Sequence, residues 1–458
     1  MALPQALYRT TLRVLRVLSP VMMKGDSKLA RGLRGRRDAH ERLAAWGRSF
    51  RVESVNGAAA ATRTDRPVVW VHASSVGELI QARAVIDVLR RQTAGLHVVL
   101  TFFSPSAEAV HGDFHADVSS YLPWDLPEVM GPVLDAVQPH VIVFTQREVW
   151  PTLAEEADAR GVPTVLIAGT MPQGAGRLSG PGRILLGPAF RSLRSVAAVS
   201  KEDADRFGLL GVRDDRVTVT GDPGIDGARD RVARIDRGAP HMRVFSDERG
   251  PILVAGSTWS SDEKVLVPAL ARVRLMVPGL RIILAPHEPE GYDFARLGRR
   301  LATDGWTPAL LGEIEASERA REAEGAEEAF EGAAAHGADA ILVDRVGVLA
   351  DLYSLASVAY VGGGFHRGGL HSVVEPAAAG VPVLMGPRYE GSLHATRLLA
   401  AAGARAVADA DSLAYALREW LEVPKKIEEH GRHAMAYIEN QRGAAERTAG
   451  LITQFFPQ

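Results

Sequence analysis

Short apolar runs alternate with helical patterns from residue 67 onward. The runs are rich in β-branched residues and do not alternate strictly between apolar and polar positions, which is typical of strands buried on both faces. Helical segments such as GELIQARAVIDVLRRQ separate several of the runs. This succession predicts βα units around a parallel sheet. The first series of strands is predicted at 67–73, 97–103, 141–145, 164–168, 195–200 and 217–221.

A second series of apolar runs follows a segment at 222–243 that is rich in glycine and proline. Because 458 residues are too many for one ordinary core, each series predicts a domain of its own. The second series of strands is predicted at 251–257, 281–286, 341–344, 358–363 and 381–386.

The pattern as a whole predicts an α/β protein with two Rossmann-like domains that face an interdomain cleft. We expect an N-terminal segment at 1–50, a first domain at 51–225 and a second domain at 226–458, with terminal helices that can cross back. In such sheets, ligands bind beyond the carboxyl ends of the strands, so candidate residues are sought just after each strand.

The N-terminal segment is amphipathic and basic, with eleven Lys or Arg residues against three Asp or Glu residues in positions 1–50. Its apolar run is interrupted by arginines and is too short for the roughly 20 residues that span a bilayer. No small-residue cleavage site follows it, so no secretory signal is predicted. Either the helix lies in a membrane interface beside anionic lipids, or it docks on the protein's own core. The residues near one helical face are Leu7, Tyr8, Leu12, Leu15, Leu18 and Met22.

Composition narrows the possible functions. Hydrophobic residues make up 46% and charged residues 24% of the chain, as in soluble globular proteins. The net charge of −2 gives no general support for a nucleic-acid partner. The chain has no cysteine, which excludes disulfides, thiolate metal sites and cysteine nucleophiles. Its fourteen histidines show no metal-ligand spacing, so no metal site is predicted.

Candidate polar residues follow two strands of the first domain. Ser74, Ser75 and Glu78 come after the first strand, where Glu78 is either a helix-dipole residue or a general base. Arg147 and Glu148 follow strand 141–145. They form either a buried ion pair or the wall of an acceptor site, with the planar guanidinium of Arg147 holding an anionic group.

The second domain places hydroxyl groups and a histidine after its first two strands. Ser257 and Thr258 suit a phosphate or a sugar, or serve only to cap a helix, and Ser260 to Glu263 has the spacing of a capping box. His287 and Glu288 could donate to a phosphate and accept from a ribose hydroxyl, although loop histidines are commonly bystanders.

The segment VGGGFHRGGLHSVVEP at 361–376 combines most of these features. Its glycines allow close backbone approach and positive φ, so successive N–H groups could bind an anion with help from the helix dipole. Glu375 is a candidate acceptor for ribose hydroxyls. The alternative is an ordinary glycine-rich loop. The glycines concerned are Gly362, Gly363, Gly364, Gly368 and Gly369.

Several further motifs occur in order along the chain. They are WVHASSVGE (70–78), FFSPSA (102–107), YLPWDLP (121–127), REVWP (147–151), AGST (255–258), VDRVGVLADLY (343–353) and VGGGFHRGGLHSVVEPAAAGVPVLMGP (361–387). Each motif alone is unspecific, but the ordered set covers nearly the whole chain. The set resembles one family, the 3-deoxy-D-manno-octulosonic acid (Kdo) transferases of lipopolysaccharide synthesis, which are GT-B glycosyltransferases.

The resemblance implies transfer of Kdo from CMP-Kdo to a lipid A precursor (a lipid IVA-type acceptor), with inversion and without a metal ion or other cofactor. Glu78 would be the general base, and Ser74, Ser75, Arg147 and Glu148 would bind the acceptor or sugar. The residues implied for CMP-Kdo are Ser257, Thr258, His287, Glu288, Arg345, Val346, Gly347, Gly363, Gly364, Gly368, Gly369, His371, Ser372 and Glu375, with 345–347 flanking the cytosine.

A lipid acceptor favours membrane association of the N-terminal helix, on the cytoplasmic face of the inner membrane. The chain also departs from the family pattern: it has His287 where many members have an arginine, Gln146 where many have an acid, and Gly224 where a basic residue is common. Arg367, Arg388 or Arg147 could substitute for the missing arginine. The alternatives are another GT-B nucleotide-sugar enzyme, such as a UDP-sugar 2-epimerase, and a catalytically weakened nucleotide-sugar-binding protein.

Overall fold

A computed structural model describes residues 3–25, 27–56, 66–108, 111–243, 250–323 and 337–457. The chain divides into two compact units. The first contains residues 1–227 and 442–458, and the second contains residues 228–441. The N-terminal segment and the last helix therefore belong to the first unit.

The first unit is built on a seven-stranded parallel sheet in the order β3-β2-β1-β4-β5-β6-β7. All six predicted strands form, and their β-branched, apolar side chains are buried on both faces of the central strands. Strand β3, whose first two residues are only partly buried, was not predicted. The strands are β1 (Val68–Ala73), β2 (His97–Phe102), β3 (Val118–Tyr121), β4 (Val141–Thr145), β5 (Thr164–Gly169), β6 (Ser195–Ala198) and β7 (Val217–Val219).

Helices precede, connect and follow these strands, and the last of them packs against α4 and β6. They are α1 (Leu3–Met22), α2 (Lys28–Arg37), α3 (Ala39–Asn56), α4 (Val76–Gln92), α5 (Pro105–Glu108), α6 (Pro127–Val137), α7 (Pro151–Ala159), α8 (Gly180–Ser192), α9 (Lys201–Gly208), α10 (Pro223–Ala233), which runs into the second unit, and α19 (Ala444–Thr453).

The second unit repeats this organisation with a seven-stranded parallel sheet in the order β10-β11-β9-β8-β12-β13-β14. The five predicted strands form, whereas the three-residue strands β10 and β14 were not predicted. The strands are β8 (Ile252–Thr258), β9 (Arg281–Pro286), β10 (Pro308–Leu310), β11 (Ala340–Leu342), β12 (Val358–Val361), β13 (Val383–Met385) and β14 (Ala404–Ala406).

Helices cover this second sheet, and Trp420 and Leu417 of one of them lie in its fully buried core. The helices are α11 (Ser260–Met276), α12 (Phe294–Thr303), α13 (Leu311–Ala323), α14 (Leu349–Leu352), α15 (Val374–Ala378), α16 (Leu393–Ala400), α17 (Ala410–Leu421) and α18 (Pro424–Glu439).

Each sheet has a point at which the strand order reverses. In the first unit β1 lies between β2 and β4, and in the second unit β8 lies between β9 and β12. In open parallel sheets, the crevice at the carboxyl ends of such neighbouring strands is where ligands bind. Ser74 follows β1 and Gln146 follows β4, while Trp259 follows β8 and Gly362 follows β12. Four of the motifs found in the sequence thus lie at the reversal points of the two sheets.

Helix α1 contacts the first unit through its polar residues. Tyr8 donates a hydrogen bond of 2.8 Å to Asp125, buried Arg9 forms an ion pair of 2.7 Å with Glu155, and Arg13 contacts Glu128. Much of its apolar surface faces outward, with Leu7 67%, Val17 78% and Val21 69% exposed.

The six residues predicted near one face of α1 differ in exposure, because only one edge of that face contacts the protein. Tyr8 contacts the protein and Leu12 packs beside the small core around Leu33, whereas Leu7, Leu15 and Leu18 are exposed. Among the described helices, none is both long and apolar enough to cross a membrane.

Candidate functional site

Glu78 lies in the first turn of α4, just beyond the carboxyl end of β1. Ser75 caps the helix, and the Glu78 carboxylate accepts a hydrogen bond of 2.8 Å from the Ser74 N–H and one of 3.3 Å from the Ser75 hydroxyl. The side chain is only 6% exposed. Burial, opposed by the Ser74 hydrogen bond and reinforced by the charge of Glu148, raises the pKa of Glu78 from 4.5 to about 7. A carboxylate with this pKa can accept a proton near neutral pH.

The buried side chain of His72 contacts the Ser74 hydroxyl. The Nε2 atom of His72 lies 3.0 Å from the Ser74 hydroxyl and accepts a hydrogen bond of 2.8 Å from the Trp150 indole. Because the indole only donates, Nε2 carries no proton, and Nδ1 carries it towards Thr101, 3.1 Å away. Burial, with a contribution from Arg36, lowers the pKa of His72 to about 3, so the ring is neutral. His72 was not predicted as a site residue, because Thr101 and Trp150 are distant from it in the chain.

Arg147 and Glu148 do not pair with each other. Glu148 forms its ion pair with Arg177, which precedes α8. Both residues lie near enough to Glu78 for Glu148 to raise and Arg147 to lower the pKa of its carboxyl group. Of the two interpretations, the buried Arg147–Glu148 pair is wrong. The Arg147 guanidinium remains a candidate for an anionic group.

In the second unit, buried Asp262 holds the glycine-rich segment against the start of α11. Its carboxylate accepts hydrogen bonds from the N–H of Trp259 (2.9 Å), the N–H of Gly363 (3.0 Å) and the Tyr360 hydroxyl (3.0 Å). The capping box predicted for Ser260 and Glu263 was wrong. Glu263 instead accepts a hydrogen bond from the Tyr292 hydroxyl, and Asp262 occupies the position at the helix terminus.

The glycine N–H groups of this segment are largely engaged inside the protein. Gly362 donates to the Gly256 carbonyl, Gly363 to Asp262, Gly368 to His366 Nδ1 and Gly369 to the His366 carbonyl. The following helix α15 has only five residues, so its dipole adds little for an anion. The predicted anion site of glycine N–H groups with helix-dipole help is therefore not the arrangement found.

Aromatic rings instead line the carboxyl ends of these strands. His366 stacks on Trp259 with the ring centroids 4.2 Å apart, and His287 stacks on His371 at 4.1 Å. The Trp259 indole donates a hydrogen bond of 2.9 Å to His371 Nε2, so the proton of the neutral imidazole is on Nδ1. Burial and the neighbouring His287 lower the pKa of His371 to about 4. Trp259 and His366 were missed in the sequence because the stack joins three separate strand ends.

The other candidate residues of the second unit have varied surroundings. Ser257 has a positive φ of 53° at a bulge in β8, and buried Thr258 follows it. Glu375 raises the pKa of buried Tyr353 by its charge, after the larger effect of burial itself.

Arg345 pairs with Glu315, Val346 is 65% exposed and Gly347 accepts a hydrogen bond from Arg231. Glu288 is exposed, and the Ser372 hydroxyl accepts from the Val374 N–H. Within the described ranges, no three His, Asp or Glu side chains are grouped so as to hold a metal ion.

Residues 44–226 match the family model described as 3-deoxy-D-manno-octulosonic-acid transferase (kdotransferase). The transferase of that name from Bordetella pertussis is 29% identical, and the match covers 84% of this chain and 86% of that protein. The Haemophilus influenzae transferase is 25% identical over 84% of this chain and 87% of its own length. The chain is a relative of the Kdo transferases. The resemblance predicted from the ordered motifs is confirmed.

Solved structures support the fold of this Kdo-transferase relative. A UDP-GlcNAc 2-epimerase from Neisseria meningitidis bound to UDP-GlcNAc superimposes with a TM-score of 0.58 at 12% identity, covering 85% of this chain and 99% of the epimerase. The predicted α/β fold with two Rossmann-like parallel sheets is confirmed.

The raised pKa of Glu78 predicts a pH-dependent cost in stability. The folded state binds this proton more tightly than the unfolded state does. The bound proton therefore stabilises the folded state fully below pH 4.5, and this stabilisation is lost as the pH rises through about 7. The change in the free energy of unfolding caused by Glu78→Gln should therefore be more favourable at pH 8 than at pH 4.5, by on the order of 3 kcal/mol. Urea denaturation at both pH values measures this difference.

Asp87→Asn on the same helix is the control, because Asp87 is only partly buried and forms a weak contact of 3.9 Å with Arg83. Its effect on the free energy of unfolding should be small. Equal effects of Glu78→Gln at pH 4.5 and pH 8 would contradict the raised pKa.

Two glycines of the 361–376 segment should differ in the cost of substitution. A Cβ at Gly364 would lie 2.5 Å from backbone atoms of Gly386, whereas Gly369, at φ +89°, has open space around it. We expect Gly364→Ala to cost about 1–3 kcal/mol or more through overpacking, and Gly369→Ala about 1 kcal/mol through backbone strain. Gly391→Ala, with open space and no positive φ, is the control. The order 364, 369, 391 in urea denaturation is the test, and equal costs would contradict it.

Proposed function

We propose that the protein transfers Kdo from CMP-Kdo to a hydroxyl group of a lipid A precursor, with inversion and without a metal ion or other cofactor. Curated Kdo transferases that match over most of the chain support the class of reaction. One observation carries the proposal for this chain. It is the buried Glu78 carboxylate, held at the reversal point of the first sheet with a pKa of about 7.

Glu78 acts as the general base in this reaction. Its deprotonated carboxylate takes the proton of the acceptor hydroxyl while the acceptor oxygen forms a bond to the anomeric carbon of Kdo. The bond from that carbon to the CMP phosphate breaks, and its electron pair leaves with the phosphate. The Ser74 N–H and the Ser75 hydroxyl hold the carboxylate in place, and the nearby Arg147 guanidinium favours its charged form.

The stacked rings of the second unit supply hydrogen-bond donors for CMP-Kdo. With Nε2 of His371 engaged by Trp259, its Nδ1–H is the donor, and His366, whose Nδ1 accepts from Gly368, donates through Nε2. These donors bind the CMP phosphate in place of the arginine that many family members have at the position of His287. Glu375 accepts from the ribose hydroxyls. Arg345, Val346 and Gly347 flank the cytosine.

We further propose that α1 holds the enzyme on the cytoplasmic face of the inner membrane, beside its lipid acceptor. Its outward apolar residues would enter the headgroup region, while its polar residues keep the helix attached to the first unit. Exposed basic residues of the same segment favour an anionic lipid surface. They are Arg13, Lys24, Lys28, Arg31, Arg34, Arg37 and Arg42.

The transfer reaction predicts a defined pH profile. With CMP-Kdo and a lipid A precursor, the purified protein should release CMP and add Kdo, as measured by product mass, with EDTA leaving the rate unchanged. The value of kcat/KM should rise with pH and level off above about 7, because only the deprotonated Glu78 accepts a proton. Glu78→Gln should lower kcat by about 10²–10⁴-fold and leave CMP binding intact.

Two further outcomes of this assay decide between functions. Conversion of a UDP-sugar with no use of CMP-Kdo would favour the epimerase alternative, and CMP binding without any turnover would favour a nucleotide-sugar-binding protein. Near-normal turnover by Glu78→Gln would overturn the assignment of the base.

Membrane binding is predicted to depend on the outward face of α1. The triple variant Leu7→Ser, Val17→Ser and Val21→Ser should lose binding to anionic vesicles without a change in Tm, because these side chains are exposed. Ile184→Ser, which removes another exposed apolar side chain of the first unit, is the matched control. Vesicle co-sedimentation of the full chain is the measurement. Unchanged binding by the triple variant would show that α1 does not hold the protein on the membrane.

A further inference from the structure

Helix α7 takes the cap of its N-terminus from another part of the chain. Its N-cap residue is Trp150, whose side chain accepts no hydrogen bond, and Pro151 follows it. The Asp125 carboxylate instead accepts the N–H of Thr152 at 2.9 Å and that of Leu153 at 2.7 Å. Asp125 is only 2% exposed. The start of α7 therefore depends on a charge that is almost fully withdrawn from water.

Helix α1 supplies a further hydrogen bond to the same carboxylate. The Tyr8 hydroxyl donates to Asp125 at 2.8 Å, and the adjacent Arg9 forms an ion pair of 2.7 Å with Glu155 further along α7. Burial raises the pKa of Asp125, and its hydrogen-bond donors, Tyr8 among them, lower it. The charged form of Asp125 thus depends in part on α1.

The second unit contains the same kind of buried carboxylate without an added helix. Asp262 accepts main-chain N–H groups and the hydroxyl of Tyr360, which belongs to strand β12 of its own sheet. In the first unit the corresponding tyrosine is Tyr8 of α1, which precedes the sheet in the chain. Helix α1 therefore completes a part of the first unit that the second unit builds from its sheet.

Trp150 links the start of α7 to the turn that holds Glu78. Its indole donates to His72 Nε2 at 2.8 Å, and the Ser74 hydroxyl lies 3.0 Å from the same atom. Since the indole keeps Nε2 without a proton, the Ser74 hydroxyl donates to it as well. The Ser74 N–H in turn donates to Glu78 at 2.8 Å. Hydrogen bonds and a short piece of main chain thus join Tyr8 to Glu78 within the first unit.

We propose that Tyr8 is a positioning residue of the reaction, because by holding Asp125 it fixes Trp150 and so the turn that presents Glu78. The inference rests on the proposed role of Glu78 as the base. It gives α1 a function beyond attachment to a membrane: its polar residues act on the site while its apolar residues face outward. Tyr8 acts only through these contacts and does not touch the reacting groups.

The test compares Tyr8→Phe with Glu128→Gln in the transfer assay, with the acceptor in detergent so that vesicle binding plays no part. Tyr8→Phe removes only the hydroxyl that holds Asp125. Glu128→Gln is the matched control, because it removes the exposed ion pair that joins Arg13 of the same helix to α6.

The pH profile separates positioning from a general structural loss. A looser turn weakens the Ser74 hydrogen bond, which lowers the pKa of Glu78. The pH at which kcat/KM reaches half of its plateau should rise by about one unit in Tyr8→Phe. The value of kcat/KM should then fall about fivefold at pH 7 and little at pH 9. Glu128→Gln should keep the wild-type profile, and both variants retain the charged neighbours of Glu78, which are Glu148 and Arg147.

A double-mutant cycle tests whether Tyr8 acts through Asp125. In an Asp125→Asn background the buried charge is gone, so Tyr8→Phe should shift the pH profile little. In the wild-type background it should give the full shift.

Urea denaturation supplies a readout that does not require turnover. The difference in stability between a protein and its Glu78→Gln variant changes with pH until Glu78 has lost its proton in the folded state. The pH at which this change ends should move from about 7 in the wild type to about 8 in Tyr8→Phe. This arm tests the positioning even if the wild type transfers no Kdo, in which case the proposed transfer alone would fail.

Four results would contradict the proposal. An equal fall in kcat/KM of Tyr8→Phe at pH 7 and pH 9 would make Tyr8 a structural residue only. A matching shift in Glu128→Gln would assign the effect to the attachment of α1 in general. A full shift in the Asp125→Asn background would show that Tyr8 does not act through Asp125. Unchanged pH dependence of Tyr8→Phe in both assays would leave α1 without a role at the site.

Discussion

Buried carboxylates that accept main-chain N–H groups hold the loops at the ends of the parallel strands. Asp125 accepts from Thr152 and Leu153 at the start of α7, and Asp262 accepts from Trp259 and Gly363 at the start of α11. A carboxylate at a helix N-terminus satisfies N–H groups that the helix itself cannot bond. These loops carry the candidate residues, so their geometry depends on those few charges.

The Glu78 carboxylate also accepts a main-chain N–H at a helix N-terminus, but it has fewer hydrogen-bond donors than Asp262. Asp262 accepts hydrogen bonds from two N–H groups within 3.0 Å and from a tyrosine hydroxyl, whereas Glu78 has one N–H at 2.8 Å and a weaker hydroxyl contact at 3.3 Å. Fewer donors leave the charged form of Glu78 less stable in its buried position. The Asp262 carboxylate thus holds a loop in place, whereas the pKa of the Glu78 carboxyl group lies near neutral pH.

The sequence predicted the central strands well, since apolar runs rich in β-branched residues, such as that at 97–103, are typical of strands buried on both faces. It missed β3, β10 and β14, whose three or four residues carry little periodic signal. Glu78 was found by its place after a strand, but its pKa depends on packing that no local pattern shows. The pairing of Glu148 with Arg177 and the stack of Trp259 with His366 join residues far apart in the chain.

The two units differ in the charge of the side chains near their candidate sites. The second unit presents imidazoles, and a neutral ring such as His371 costs little to bury and still offers an N–H donor. The first unit instead keeps Arg36 charged at pH 7, with its guanidinium carbon 3.6 Å from the centroid of the Phe103 ring. An aromatic face attracts a cation, so the Phe103 ring offsets part of the cost of burying this charge.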